Sequence, residues 1–389
     1  MYSRFFIFLC LLFMIIILVS ISYSIQLHTV KKNIQESFLF SKFTKCSEAT
    51  NLAPPTSMDS KLMIQKTEGN LPISQYHVFS SWNTACSGKF VSTQQILNVL
   101  STGCRFLDFP ITNINGEPMI CSPQFTNDVS DNFISLNTAI KTVVENAFQN
   151  YITINYNCNN KTNTNNKFNS QKYTLKNSQD PLFIQLRFPK IDKEKIENDG
   201  EKNIISPITN EYLNKVAEYV GYAIKGLQYQ NASLTYKLTP DTTLQKLVKS
   251  VILLVDMTSI SNAMFEDSEL SNIANIVVGE SSGMMMYPFQ VLLKATPKNI
   301  PSIQNPNPSS NFSFNMAIPD SKYNIEPSIE QVMELAAYHN VQFVPFLFYR
   351  SSALLSDYIR FFQKKQTAFL SIKSLTKYLL QDSEQAVMR

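Results

Sequence analysis

From residue 75 onward, short β-branched or aromatic runs alternate with longer stretches of helical periodicity, which restricts the chain to βα units around a parallel sheet. Residues 251–257 are apolar almost throughout, as expected of a strand covered on both faces. Residues 76–81, 105–109, 119–121, 151–156, 181–188, 276–278, 286–293 and 341–349 are further strand expectations. Between them, Ile96, Val99 and Leu100 make one apolar stripe, with Ser92 as the expected N-cap and Gly103 as the stop. Helices are also expected over 135–149, through Leu136, Ile140, Val143, Val144 and Ala147, and over 210–226, through Leu213, Val216, Val220 and Ile224. Two more are expected at 328–339 and 353–362. Residues 158–180, rich in Asn, Lys, Thr and Ser, read as a surface insertion, and 297–311 as an irregular excursion.

The other strong signal is the amino terminus. Residues 5–19 are uninterrupted apolar sequence, and 20–25 extend it to the length that spans a bilayer core. Length and hydrophobicity favour a retained single-pass anchor over 1–25; the alternative is a cleaved secretory signal, with Arg4 as its basic flank. Arg4 on one side and Lys31 with Lys32 on the other leave the orientation unspecified. Residues 26–74 read as a stalk and 75–389 as one folded domain. A net charge of +4, with scattered basic residues, gives no support to nucleic-acid binding. The six cysteines make no C-x-x-C pair or zinc-spaced cluster, so no structural metal site is expected.

Residues 76–125 carry a more specific pattern: Ser80-Ser81-Trp82-Asn83-Thr84, then Gly103-Cys104-Arg105, then Gly116-Glu117-Pro118. This stretch resembles the opening of the catalytic X region of phosphoinositide-specific phospholipase C, a TIM-barrel enzyme family. Lys322-Tyr323-Asn324-Ile325-Glu326-Pro327, Val341-Gln342-Phe343-Val344-Pro345 and residues 369–375 are similar, in order, to elements of the Y region that closes the same barrel. The resemblance implies a (β/α)8 barrel of the phospholipase C-like phosphodiesterase type over about 75–380, preceded by the transmembrane helix.

It also implies a chemistry: attack of an inositol hydroxyl on phosphorus, assisted by two histidines and a calcium ion held by Asn, Glu, Asp and Glu. Carried across by position, the first histidine falls on Trp82 and the second on Gln124, or on Ser122 if that loop shifts. The ligand asparagine is kept as Asn83; the acidic pair becomes Asp108 and Pro110; the last ligand glutamate falls on Arg187. The lysines that in the family follow the Ile-Leu strand and meet inositol phosphates are missing, and Val255 and Met257 occupy the aligned places. Bacterial relatives replace the metal with an arginine on the second strand, but that position is Pro110 here.

The expectation is therefore a catalytically inactive barrel with no cofactor and no calcium, acting as a structural or binding protein on a virion or cell surface. Two alternatives stay open: an active phosphodiesterase with a non-standard site, and a phospholipid head-group receptor. For the latter, Asn83, Asp108 and Arg187 are the candidate residual anion site; the plainer role for Arg187 is a structural ion pair with Asp108. His28, His77 and His339 are assigned structural or solvated roles. Gly279-Glu280-Ser281-Ser282-Gly283 lacks the spacing of a nucleophile elbow, and Met284 to Met286 read as strand core.

Overall fold

The computed structural model describes residues 70–88, 90–121, 132–157, 168–189, 205–280, 283–295, 314–319, 325–350 and 352–387. All of them fall in one compact unit, Asp59–Arg389. The expected anchor at 1–25 and stalk to residue 69 lie outside the described residues, as does Gln124. Among the described residues no helix is long and apolar enough to cross a membrane.

The first stave of the barrel runs through β1 (Tyr76–Val78) and β2 (Ser80–Ser81) into α1 (Thr93–Ser101). Ser92 caps α1 by accepting a hydrogen bond from the Gln95 backbone N–H, and Gly103 takes the positive φ of +93° that turns the chain into the next strand. β3 (Phe106–Ile114) hairpins through Asn115 and Gly116 into β4 (Glu117–Ile120), which β5 (Ile134–Ser135) extends before α2 (Leu136–Ala147). β6 (Tyr151–Asn157) and β7 (Phe168–Thr174) pair with each other off the barrel. Then come β8 (Leu182–Arg187), α3 (Asn210–Ile224), β9 (Val251–Asp256) and the short helices α4 (Asn262–Glu266) and α5 (Glu269–Ile273). β10 (Ile276–Val278), β11 (Met284–Pro288), α6 (Phe289–Lys294) and β12 (Phe314–Ile318) follow. The chain ends with α7 (Ile329–His339), α8 (Ala353–Lys365), β13 (Phe369–Ser371) and α9 (Ile372–Val387).

β2, β3, β8, β9, β10, β11 and β12 lie side by side in that order, all parallel. Phe343 bridges in parallel to both Met316 and Val78, and Phe346 to Ser81, so residues 341–347 act as the eighth stave and close the sheet on its first strand. The interior is aromatic where this happens: Phe343 packs against Phe106, Phe183 and Phe314 with ring centroids 4.8, 5.3 and 6.4 Å apart. Apolar stripes on the helices cover the outside; Ile96, Val99 and Leu100 of α1 are fully buried, as are Leu213, Val216, Val220 and Ile224 of α3.

Three sequence expectations change. The strand expected over 286–293 is β11 ending at Pro288, after which Phe289 begins a helix; the largely apolar run fits either period, and the proline sets the boundary. The strand at 341–349 has barrel pairing at isolated bridges rather than a regular ladder. The run 158–180 contributes more than surface. Residues 168–174 are a strand, and Asn177, Ser178 and Asp180 are buried. They receive Arg105, which donates to the carbonyls of Ala147 and Asn177, while the Asn177 amide donates to the Gly103 carbonyl at 2.7 Å. Burial lowers the Arg105 guanidinium to about 10, opposed by the nearby charge of Asp180. Gly103, Cys104 and Arg105 thus serve the wall of the barrel: the arginine of that motif is locked inside and does not face a ligand.

Candidate functional site

Parallel strands in a closed barrel deliver their C-terminal ends to one mouth, where catalytic groups of such folds gather. Trp82 and Asn83 follow β2, Asp108 lies in β3, and Arg187 and Asp256 end β8 and β9. The register sets Pro110 beside Arg187 and Arg187 beside Asp256.

Arg187 organises the mouth. Its Nε donates to Asp108 Oδ1 at 3.1 Å and its Nη2 to Asp108 Oδ2 at 2.9 Å, the bidentate arrangement that a planar guanidinium makes with a carboxylate. The same Nη2 donates to the Asn83 side-chain oxygen at 2.6 Å. Above it lies the Trp82 ring, whose centroid is 4.1 Å from the guanidinium carbon, close enough for a cation–π contact. Asp108 is fully buried and the Arg187 side chain is 13% exposed, so this pair is screened far less than a surface pair. Burial by itself would lower the Arg187 pKa, but the charge and hydrogen bonds of Asp108, with a further contribution from Asp256, raise it above its ordinary value.

Asp108 is held from every side. The Asn83 backbone N–H, presented by a left-handed backbone at φ +49°, donates to Asp108 Oδ2 at 2.9 Å. The Thr84 hydroxyl accepts from the Asp108 backbone N–H at 2.9 Å and shares a 2.6 Å hydrogen bond with the Ser81 hydroxyl. Ser81, Asn83 and Thr84 of the Ser-Ser-Trp-Asn-Thr pattern thus build the cradle of one carboxylate.

Two further residues face this cluster. Asp256 is buried, and its Oδ1 accepts from the backbone N–H and the hydroxyl of Thr258 at 2.9 and 2.7 Å. Burial pushes its carboxyl upward, against the pull of Thr258 and Arg187. Tyr349 follows the eighth stave and hydrogen-bonds Asn83; burial pushes its phenol upward, so it holds its proton at neutral pH. Neither residue stands out in sequence. Asp256 interrupts an otherwise apolar strand at its C-terminal end, the position where a barrel presents functional groups, and that is the signal which could have found it.

Of the expected site residues, the structure brings Trp82, Asn83, Asp108 and Arg187 together. Arg187 and Asp108 form the ion pair, and the Nε and Nη2 groups that would meet an anion are already engaged. A calcium ion does not fit this arrangement. The donors it would need, Asn83 Oδ1 and both oxygens of Asp108, all point at a guanidinium, and no group of three or more His, Cys, Asp or Glu side chains suited to a metal occurs among the described residues. Neither histidine among the described residues lies here: His77 is in β1 and His339 at the end of α7.

Residues 69–186 match the pattern of the phosphatidylinositol-specific phospholipase C X domain. No curated protein sequence matches the chain. Among solved structures the fold is similar to L. pealei PLC21, with a TM-score of 0.52 at 14% identity over 79% of this chain and 38% of that one. S. officinalis PLC21 gives the same values. A calcium-dependent phosphoinositol-specific phospholipase C from the Gram-negative bacterium Pseudomonas sp. aligns with a TM-score of 0.41 at 10% identity over 81% of this chain and all of that one. At such identities the likeness is one of fold, and the chain spans well under half of the two PLC21 structures.

Proposed function

We propose that the chain, whose residues 69–186 match the phosphatidylinositol-specific phospholipase C X domain, uses this phosphodiesterase scaffold without hydrolysing lipid, as a membrane-tethered structural or binding protein. The observation that carries the reading is Trp82. It occupies the place where the resemblance calls for a proton carrier, its indole neither accepts nor releases a proton near neutral pH, and it covers the arginine of the mouth at 4.1 Å. The apolar segment at 5–25 supplies the tether, and the setting that suits a tethered barrel is a virion or cell surface.

The test is hydrolysis of phosphatidylinositol and its phosphorylated forms by the full chain in mixed micelles, with calcium and with EDTA. No turnover above that of heat-denatured protein is expected in either condition. Turnover above that control in either condition would sink the proposal.

A second reading has one observation in its favour, Asp256. A buried carboxyl pushed upward beside an arginine is a workable proton donor and acceptor, so a non-standard phosphodiesterase would draw on Asp256 and Arg187. Any turnover abolished by Asp256→Asn would favour it.

A further inference from the structure

We infer that the barrel turns its N-terminal end toward an anionic lipid surface, through the connection 225–250, so that the mouth points away from that surface. The connection joins the end of α3 to the start of β9 and lies opposite the end that carries Asp108 and Arg187. The choice of lipid as partner rests on the membrane tether proposed above.

The charge of the connection suits such a surface. Residues 225–250 hold Lys225, Lys237, Lys246 and Lys249 against one acidic residue, Asp241. The four lysines are exposed, and among the described residues none of them is in an ion pair, so their charges stand uncompensated toward solvent. An anionic bilayer attracts such lysines within a Debye length, roughly 8 to 10 Å. Two large side chains are presented at the same end: Tyr222, in the last turn of α3, is 82% exposed and Leu234 is 77% exposed, more than any other large hydrophobic among the described residues. Leu234 is held out by a braced turn. Asn231 Oδ1 accepts from the backbone N–H groups of Ser233 and Thr235 at 3.0 Å each, Asn231 Nδ2 donates to the Thr235 hydroxyl, and Leu234 takes a left-handed φ of +59°. A bulky side chain in that conformation carries a steric cost, and one left in solvent recovers nothing from the core. Contact with lipid is where it gains.

The described chain also starts at this end. Pro72 bridges to Thr243, and the N–H groups of Ile73 and Ser74 donate to the carbonyls of Thr242 and Pro240 at 2.8 and 3.2 Å. Leu71 accepts from the Leu244 N–H at 3.3 Å. Residues 71–74 therefore run along the lysine-bearing connection.

The experiment reads depth in the bilayer from tryptophan emission of the full-length protein in vesicles of brominated phosphatidylcholine, with and without phosphatidylserine. Trp82 is the single tryptophan, so the wild type reports on the mouth, and Leu234→Trp in a Trp82→Phe background reports on the opposite end. With phosphatidylserine, emission from position 234 is expected to be quenched at least about threefold more than that of Trp82, since interfacial side chains sit roughly 5–10 Å into the headgroup boundary. Without phosphatidylserine, or with Lys225, Lys237, Lys246 and Lys249 all changed to glutamate, that excess is expected to vanish. Circular dichroism checks each fold. If the glutamate set is unfolded, the glutamine set takes its place with the same expected loss; if Trp82→Phe is unfolded, Leu234→Trp is read as the emission added to the wild type. Quenching of Trp82 equal to or above that at position 234 would overturn the inference, as would quenching at position 234 that is indifferent to phosphatidylserine. Carbonate extraction separates the two failures. Release of the chain strikes the tether; excess quenching at position 234 when the released chain is returned to anionic vesicles leaves the lipid-facing end standing, and its absence overturns that too.

Discussion

His77 is the second residue of the first strand, and it shows how a buried polar side chain can be committed to structure. Its Nδ1 lies 3.2 Å from the Val341 carbonyl, which only a donor satisfies, so the proton sits on Nδ1. The ring stacks on Phe362 at 6.0 Å, and burial lowers its pKa from 6.5 to about 4, only partly offset by the Val341 bond. Between those two values the unfolded chain takes up a proton that the folded chain refuses. Stability therefore falls as the pH drops from 6.5 toward 4, by about 3 kcal/mol in total for a shift of this size. Asp180, Asp256 and Glu326 carry carboxyls that burial raises, and their contributions have the opposite sign, lost as pH rises. Urea midpoints of wild type and His77→Gln between pH 4.5 and 7.5 isolate the histidine. The wild type should lose stability on acidification relative to the variant, and a constant difference across the range would show that the imidazole is not held neutral.

Among the elements, the most constrained is the connection between β10 and β11. Parallel strands ordinarily need a crossover of a dozen or more residues, yet these two pair at Val278 and Met284 across residues 279–283 alone. The short path brings Gly283 against the preceding strand, where an added Cβ would meet the Val277 carbonyl oxygen at 2.1 Å. Gly283→Ala is expected to cost about 3 kcal/mol, the upper part of the range for overpacking, because the obstructing atom is backbone and cannot rotate away. Chemical denaturation should show this, while Gly88→Ala makes a control: its φ of +86° strains the alanine but nothing lies within 4 Å of the added carbon. Equal losses for the two would place the effect in glycine's conformational freedom and not in the contact. Elements with a strong period were legible from the chain alone, as with the Ser92 cap and the stripe of α3. Those set by tertiary pairing were not: β7 needs β6 as partner to order a polar, low-complexity sequence, and the strand expected at 341–349 holds its place through bridges to Met316 and Val78 rather than a regular ladder.

For the molecule as a whole, legibility divides along the same line. The order of the motifs marked the barrel and placed Trp82, Asn83, Asp108 and Arg187 at its mouth, because parallel strands deliver their ends to one face. Asp256 and Tyr349 escaped notice, since their meeting with that cluster depends on register and closure that no local pattern encodes. Closure also ties the two ends of the folded unit together: β1 pairs with β13 from Tyr76 and Ser371 inward, and Gln342 donates to the Ser74 carbonyl at 2.7 Å. The chain therefore enters the barrel at residues 72–76, held by Pro72 against Thr243 and by the Ile73 N–H on the Thr242 carbonyl at 2.8 Å. For the tether proposed at residues 5–25, roughly 0.3 to 0.6 kcal/mol for each Leu, Ile, Phe or Val near the centre of a span would make insertion strongly favourable. Expressed at full length, the protein should pellet with membranes and stay there through extraction at high salt and alkaline carbonate. Replacing Leu11, Ile15 and Leu18 with lysine adds about 2.5 to 3.5 kcal/mol per charge near the centre of the span, enough to reverse the sum, and should release the chain to the supernatant. Release of the unaltered chain by carbonate would show that residues 5–25 are not a retained span.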